Sequence, residues 1–194
     1  MQRQKGRVMV VCGVAGSGKS TLCQALHQAY AGRSVFVEGD DFHSPESQFK
    51  MHQGTPLTDQ DRYPWLLSLR SHLERVQTDV DMVFASCSAL KREYRCFLSY
   101  TIPEMMFVYL KCGEDVVRQR LKERQGHFVT NALAQSQLET LQVPVTQHAL
   151  ERCPVHQRQW HVMSLACDTT VNHMIQLVFN HMSITSQFSV DEIR

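Results

Sequence analysis

The chain has 194 residues, 43% hydrophobic and 20% charged, and its 20 Lys and Arg against 19 Asp and Glu give a formal charge of +1. That size suits one core of ordinary extent, so a single domain over residues 1–194 is expected and two full domains would be cramped. The balanced charge argues against nucleic-acid and membrane partners, and the apolar stretch 8–12 behind the basic start is too short for a signal core or a membrane span, so a soluble, cytoplasmic protein is expected.

In chain order, the apolar run 8–12 predicts a first strand, followed by a glycine-rich turn and an amphipathic helix over 20–31 that Gly32 closes. A second strand over 35–37 runs into Gly39-Asp40-Asp41. The stretch 43–61, with Pro45, Gly54 and Pro56, breaks the alternation before a helix over 65–76. A strand over 82–85, a helix over 91–98, a strand over 105–110 and a helix over 114–124 follow. Residues 125–154 form a second irregular stretch, and a last strand is expected over 160–165. Beyond Asn180 there is no strong periodicity, and the end is expected to fray. Runs that are apolar throughout are those of strands covered on both faces, so the sequence predicts an α/β three-layer sandwich with a five-stranded parallel sheet and right-handed crossovers. The two irregular stretches are expected to be an acceptor-binding flap over about 43–64 and a mobile lid over about 125–145.

Gly13-Val14-Ala15-Gly16-Ser17-Gly18-Lys19-Ser20 is a complete GxxxxGK[ST] phosphate loop between a strand and a helix, the context the motif requires. Its amides would cradle phosphates at a helix N-terminus; Lys19 would bridge the outer phosphates, the Ser20 hydroxyl would ligate Mg²⁺, and Thr21 continues the nucleotide site. A bound nucleoside triphosphate, ATP, is the expectation. No Asp opens a DxxG and no Lys sits in [NT]KxD, which excludes a switch GTPase, and 84–88 lacks the terminal Asp of a motor-type ATPase. A small-molecule or nucleotide kinase remains.

Asp40 and Asp41 stand at the carboxyl edge of the sheet, where ligands of open α/β sheets bind, and Asp40 is the candidate base for an attacking hydroxyl. Lys91 and Arg95, four apart, predict a pocket for an anionic acceptor. Arg120 and Arg124, also four apart, are candidates to cover the transferring phosphoryl group. His148, Cys153, His156 and His161 have no metal-ligand spacing and are read as scattered side chains. The seven cysteines, an odd number without a CxxC, read as reduced buried thiols in a reducing compartment.

Taken together, these blocks resemble the gluconate kinases of the P-loop kinase superfamily, relatives of the shikimate and adenylate kinases. The likeness runs from Val8 to about Pro144 and rests on the phosphate loop, Gly39-Asp40-Asp41 with His43, Lys50-Met51, residues 54–66, Cys87 to Lys91 with Tyr94-Arg95, and Arg124 to Phe128 with Ser136-Gln137 and Thr140-Leu141. It implies transfer of the ATP γ-phosphoryl group to the 6-hydroxyl of D-gluconate, giving 6-phosphogluconate for the pentose phosphate route. Lys19, Asp40 and Arg124 would then be catalytic. Gluconate would meet Asp40, His43, Asp61, Arg62, Lys91, Arg95 and His127, and the family implies a homodimer. The alternatives are a shikimate- or nucleoside-monophosphate-type kinase on the same fold, or a nucleotide-binding interaction module without turnover.

Overall fold

The structure is a computed structural model that describes residues 5–123, 131–144, 149–153 and 157–187. Six strands form one sheet in the order β2-β3-β1-β4-β6-β5. They are β1 (Arg7–Cys12), β2 (Ser34–Glu38), β3 (Met82–Ser86), β4 (Met106–Lys111), β5 (Ala149–Arg152) and β6 (Gln159–Ala166). Five pair in parallel, as expected, and β5 adds a sixth, antiparallel to β6, on the edge. The expected count of five is corrected because a four-residue strand reading Ala-Leu-Glu-Arg shows no apolar run.

The helices are α1 (Lys19–Ala29), α2 (Pro45–His52), α3 (Asp59–Val76), α4 (Arg92–Ser99), α5 (Glu114–Glu123), α6 (Asn131–Thr140) and α7 (Val171–Gln187). Alternate residues of each strand feed two cores. Val8, Val10, Val83, Ala85 and Phe107 pack with Trp65, Leu66, Leu69 and Leu73 of α3 and Tyr94 of α4. Met9, Val11, Phe84 and Val108 pack with Leu22 and Leu26 of α1 and Met174 and Val178 of α7 on the other side. This is the three-layer sandwich, and truncating a fully buried Leu such as Leu69 would cost about 2–5 kcal/mol. The end of the chain departs from expectation: α7 continues past Asn180 to Gln187, and Met182 on it is buried against the core.

The parallel register sets Val11 opposite Ser86 and Ser86 opposite Glu38, so the ends of β1, β3 and β2 finish level with one another. Lys111 of β4 lies opposite Ala166 of β6, which brings the next residues, Cys112 and Cys167, to a Cα separation of 5.3 Å and into a disulfide. Cys96 and Cys153 form a second disulfide. The expectation of reduced thiols is therefore corrected for four of the seven cysteines, whose neighbours are supplied by strand pairing rather than by local spacing. Cys12, Cys23 and Cys87 are free and buried. Burial raises all three thiols, Cys12 to about 12, so they behave as small neutral core side chains.

Candidate active site

A cavity of about 680 Å³ opens at the carboxyl ends of the strands. One wall is the phosphate loop, from Ala15 to Ser20, with Thr21. Gly18 stands at the N-cap of α1 with φ of 98°, a left-handed conformation that glycine adopts without cost. It brings no side-chain cap, so the first amides of α1 are left for a ligand. Lys19 Nζ donates to Val14 O at 3.0 Å, which folds the ammonium back over the loop. The buried Ser17 hydroxyl has no partner among the described residues. Arg120 ties the loop to the far end of the sheet, donating to Ser17 O at 3.3 Å and to Cys167 O at 2.8 Å. Cys167 and Thr169 line the cavity at that end, with Val171 and Met174 of α7 beside them.

Across from the loop, β2 ends in a 3₁₀ turn, Gly39–Phe42, that carries Asp40 and Asp41 into the cavity wall. The turn is tightly held. Gly39 N–H donates to Ser86 Oγ at 3.2 Å, the Ser86 hydroxyl donates to Glu38, and the Trp65 indole donates to Gly39 O at 2.7 Å. A Cβ at position 39 would lie 2.1 Å from Ser86 O, so only glycine fits. Asp40 is half-exposed, and its Oδ1 is 3.9 Å from Nε2 of the buried His43. Burial, with a smaller contribution from Arg62, lowers His43 to about 4, leaving the ring neutral at pH 7.

Helix α3 supplies a buried cation. Arg62, on the first turn of α3, is 5% exposed, lines the cavity, and donates from Nε to Leu57 O at 3.2 Å. Among the described residues no carboxylate pairs with it. A buried guanidinium that makes no ion pair, with only the Tyr94 ring at 5.9 Å and the more distant Asp59 charge to offset its desolvation, can receive an anion.

Three expected acceptor residues are engaged by partners within the protein. Arg95 is 1% exposed and spent on structure: Nε and Nη2 make a bidentate pair with Glu151 of β5 at 2.7 Å each, and the remaining donors go to Ala89 O, Leu90 O and Gln142 O. Lys91 is outside the cavity wall and donates to both oxygens of Asp59 at 2.8 Å. Asp61 closes a capping box with Thr58 at the start of α3 and accepts from Lys50 Nζ at 2.7 Å. The Lys50 contact, then those of Thr58, hold its carboxyl at about 2, and it does not line the cavity. Gly13 and the buried Val14 form the base of the loop behind the cavity wall. Arg124 and His127 lie outside the described residues.

The cavity also holds Glu38, which local sequence does not single out, and Gln137, which is named there only within the Ser136-Gln137 block of the resemblance. Glu38 is the last residue of β2, a position at which a polar side chain is a usable signal. Gln137 of α6 accepts from Ala15 N–H at 2.7 Å. Ser20 on the loop and Asp40 and Asp41 across from it line the same cavity and are hard oxygen donors of the kind that suit Mg²⁺.

Residues 9–142 match a family described as an AAA domain. Thermoresistant gluconokinase of Escherichia coli strain K12 is 41% identical over 138 residues, 71% of this chain and 77% of that protein. Gluconokinase of Arabidopsis thaliana is 32% identical over 191 residues, 92% and 95% of the two chains. The crystal structure of a gluconokinase from Sinorhizobium meliloti 1021 superposes with a TM-score of 0.73 at 34% identity, covering 96% of this chain and 99% of that one.

Proposed function

The chain belongs to the gluconokinase family, and on that premise we propose that the cavity described above transfers the γ-phosphoryl group of ATP to the 6-hydroxyl of D-gluconate. The observation that carries the reading is one cavity walled by a phosphate cradle, the carboxylate of Asp40 and the unpaired cation of Arg62. The phosphate loop and Arg120 hold the triphosphate, and the Lys19 ammonium swings from Val14 O to the outer phosphates. Arg62 takes the gluconate carboxylate and so points the far end of the sugar acid at the loop. Neutral His43 faces the acceptor hydroxyls beside Asp40. The bond from the 6-oxygen to the γ-phosphorus forms as the bond to the β–γ bridging oxygen breaks; the hydroxyl proton passes to Asp40, and ADP leaves.

Mg²⁺ belongs to the same reading, held by Ser20 and, through its water shell, by Asp40 or Asp41. Bound there, it would neutralise charge on the β- and γ-oxygens. The reading also takes the chain as one kinase domain, with an acceptor flap over about 43–64 and a lid over about 125–145 that brings Arg124 and His127 to the site. A cytoplasmic location matches the use of ATP. Among the described residues no helix is long and apolar enough to cross a membrane. A homodimer would use exposed apolar surface such as Tyr63 and Leu67, one turn apart on α3. An ADP-release assay across gluconate, glucose, shikimate and AMP tests the function. Gluconate is expected to be the preferred acceptor, and preference for any of the others would overturn the substrate.

A further inference from the structure

α6 lies over both halves of the cavity. Leu133 packs with Met51 and Leu57 of the acceptor flap, Ala134 packs with Val14 beneath the phosphate loop, and Gln137, one turn beyond Leu133, reaches the loop itself. In this structure the end of the helix is anchored by Gln142 N–H donating to Leu90 O at 2.9 Å and by Gln142 O accepting from Arg95.

The amide of Gln137 has only one possible orientation. Ala15 N–H is a donor, so the atom 2.7 Å from it must be the carbonyl oxygen Oε1. Nε2 then points away from the loop backbone with two N–H groups that meet no acceptor among the described residues, on a side chain that lines the cavity together with Lys19 and Asp40. The phosphate loop thus lends one backbone amide to orient a neutral donor on the helix that packs between phosphate cradle and acceptor flap. The group that passes from cradle to acceptor during the reaction is the γ-phosphoryl, whose equatorial oxygens are strong acceptors bearing developing charge.

We propose that Gln137 is a further catalytic residue, donating from Nε2 to an oxygen of the γ-phosphoryl group in transit while Ala15 N–H holds its carbonyl. The inference rests on the kinase reading of the cavity. A fixed donor requires no reorganisation when charge develops, so its contribution appears in kcat rather than in acceptor binding.

The test compares Gln137→Ala and Gln137→Glu with the wild type in steady-state gluconate phosphorylation and in ATP hydrolysis without acceptor, with thermal melting to verify folding. Gln137→Ala removes both tether and donor. Gln137→Glu keeps an acceptor for Ala15 N–H, and hence the tether on α6, but replaces the donor by an anionic oxygen. Expected is a fall in kcat of roughly 10²-fold in Gln137→Ala, an equal or larger fall in Gln137→Glu, and a gluconate KM within about threefold of wild type. A Gln137→Glu enzyme with wild-type kcat would reduce the residue to a structural tether and overturn the proposal, as would a raised gluconate KM with kcat intact in either variant. Because ATP hydrolysis needs no sugar acid, a wild type that ignores gluconate while both variants lose hydrolysis would reject the substrate and leave Gln137 in place.

Discussion

His43 lies flat against Trp65, with ring centroids 4.2 Å apart and planes 17° from parallel, and its buried Nδ1 has no partner among the described residues. The stack excludes water from one face of the imidazole, while the indole N–H on the other partner is committed to Gly39 O. An acid dependence of stability follows. The unfolded ring takes up a proton near 6.5 and the folded ring only near 4, so between these values the unfolded state binds more protons and stability falls as the pH is lowered. Stability from this group is complete above 6.5 and lost down to about 4, a loss of no more than about 3 kcal/mol. Urea unfolding at pH 7.5 and 5 should show a smaller decline in His43→Phe, which keeps the stack and removes the titration; equal declines would mean that His43 does not govern it.

Arg95→Met should act on folding and leave substrate recognition alone. It strands Glu151 in the interior, at a cost of about 3–5 kcal/mol. The double variant Arg95→Met/Glu151→Gln should recover part of that loss, because it removes the stranded charge and keeps an acceptor for the Trp160 indole, which donates to Glu151 Oε2 at 2.9 Å. Denaturant midpoints measure this. A gluconate KM raised in the folded single variant would return Arg95 to the acceptor site.

For Arg62→Met the expectation is reversed. The aliphatic replacement fills the same space without the charge, so kcat/KM for gluconate should fall about 10²-fold while the KM for ATP stays within threefold, and the preference for gluconate over glucose should narrow. Competition between the two acceptors in one reaction reads the ratio directly. An unchanged ratio would place the carboxylate receptor elsewhere.

Lys19→Met should lower kcat by more than about 10²-fold in a protein that still folds, since the ammonium meets charge that develops between the phosphates. Asp40→Asn keeps the shape of the turn and removes the carboxylate proposed as the base, so kcat is expected to fall about 10²–10⁴-fold with little change in gluconate KM. Single-turnover rates separate these effects from product release. If Asp40→Asn retains kcat, Asp41 on the same turn is the next base to substitute.

Features set by neighbours in sequence were legible, and those set by neighbours in space were not. The phosphate loop needs only a strand, three glycines, a Lys and a Ser in eight consecutive positions, and the Asp40 turn needs only its place after the apolar run Val35-Phe36-Val37. Arg95 differs in kind. Its spacing from Lys91 is equally suited to an anion pocket or to an internal pair, and the choice depends on Glu151, 56 residues away on a strand too short to show a pattern. The disulfide Cys112–Cys167 likewise waits on the pairing of β4 with β6, which no local signal announces. For Asp61 a capping carboxylate and a ligand carboxylate look alike in sequence, and in the structure Thr58 and Lys50 occupy it.

The level ends of β1, β3 and β2 act as a ruler for the chemistry. The phosphate loop leaves β1 one residue beyond Cys12 and the Asp40 turn leaves β2 directly after Glu38, so the gap between donor and acceptor groups is measured out by ladder hydrogen bonds through Ser86. Sliding β2 by one residue would carry Asp40 along by about 3.3 Å and turn its neighbours to the opposite face. In-line transfer to a hydroxyl tolerates no such error, so turnover as well as folding depends on the alignment of three strands. A deletion within β2 would therefore silence the enzyme even where the rest of the sheet closed up around it.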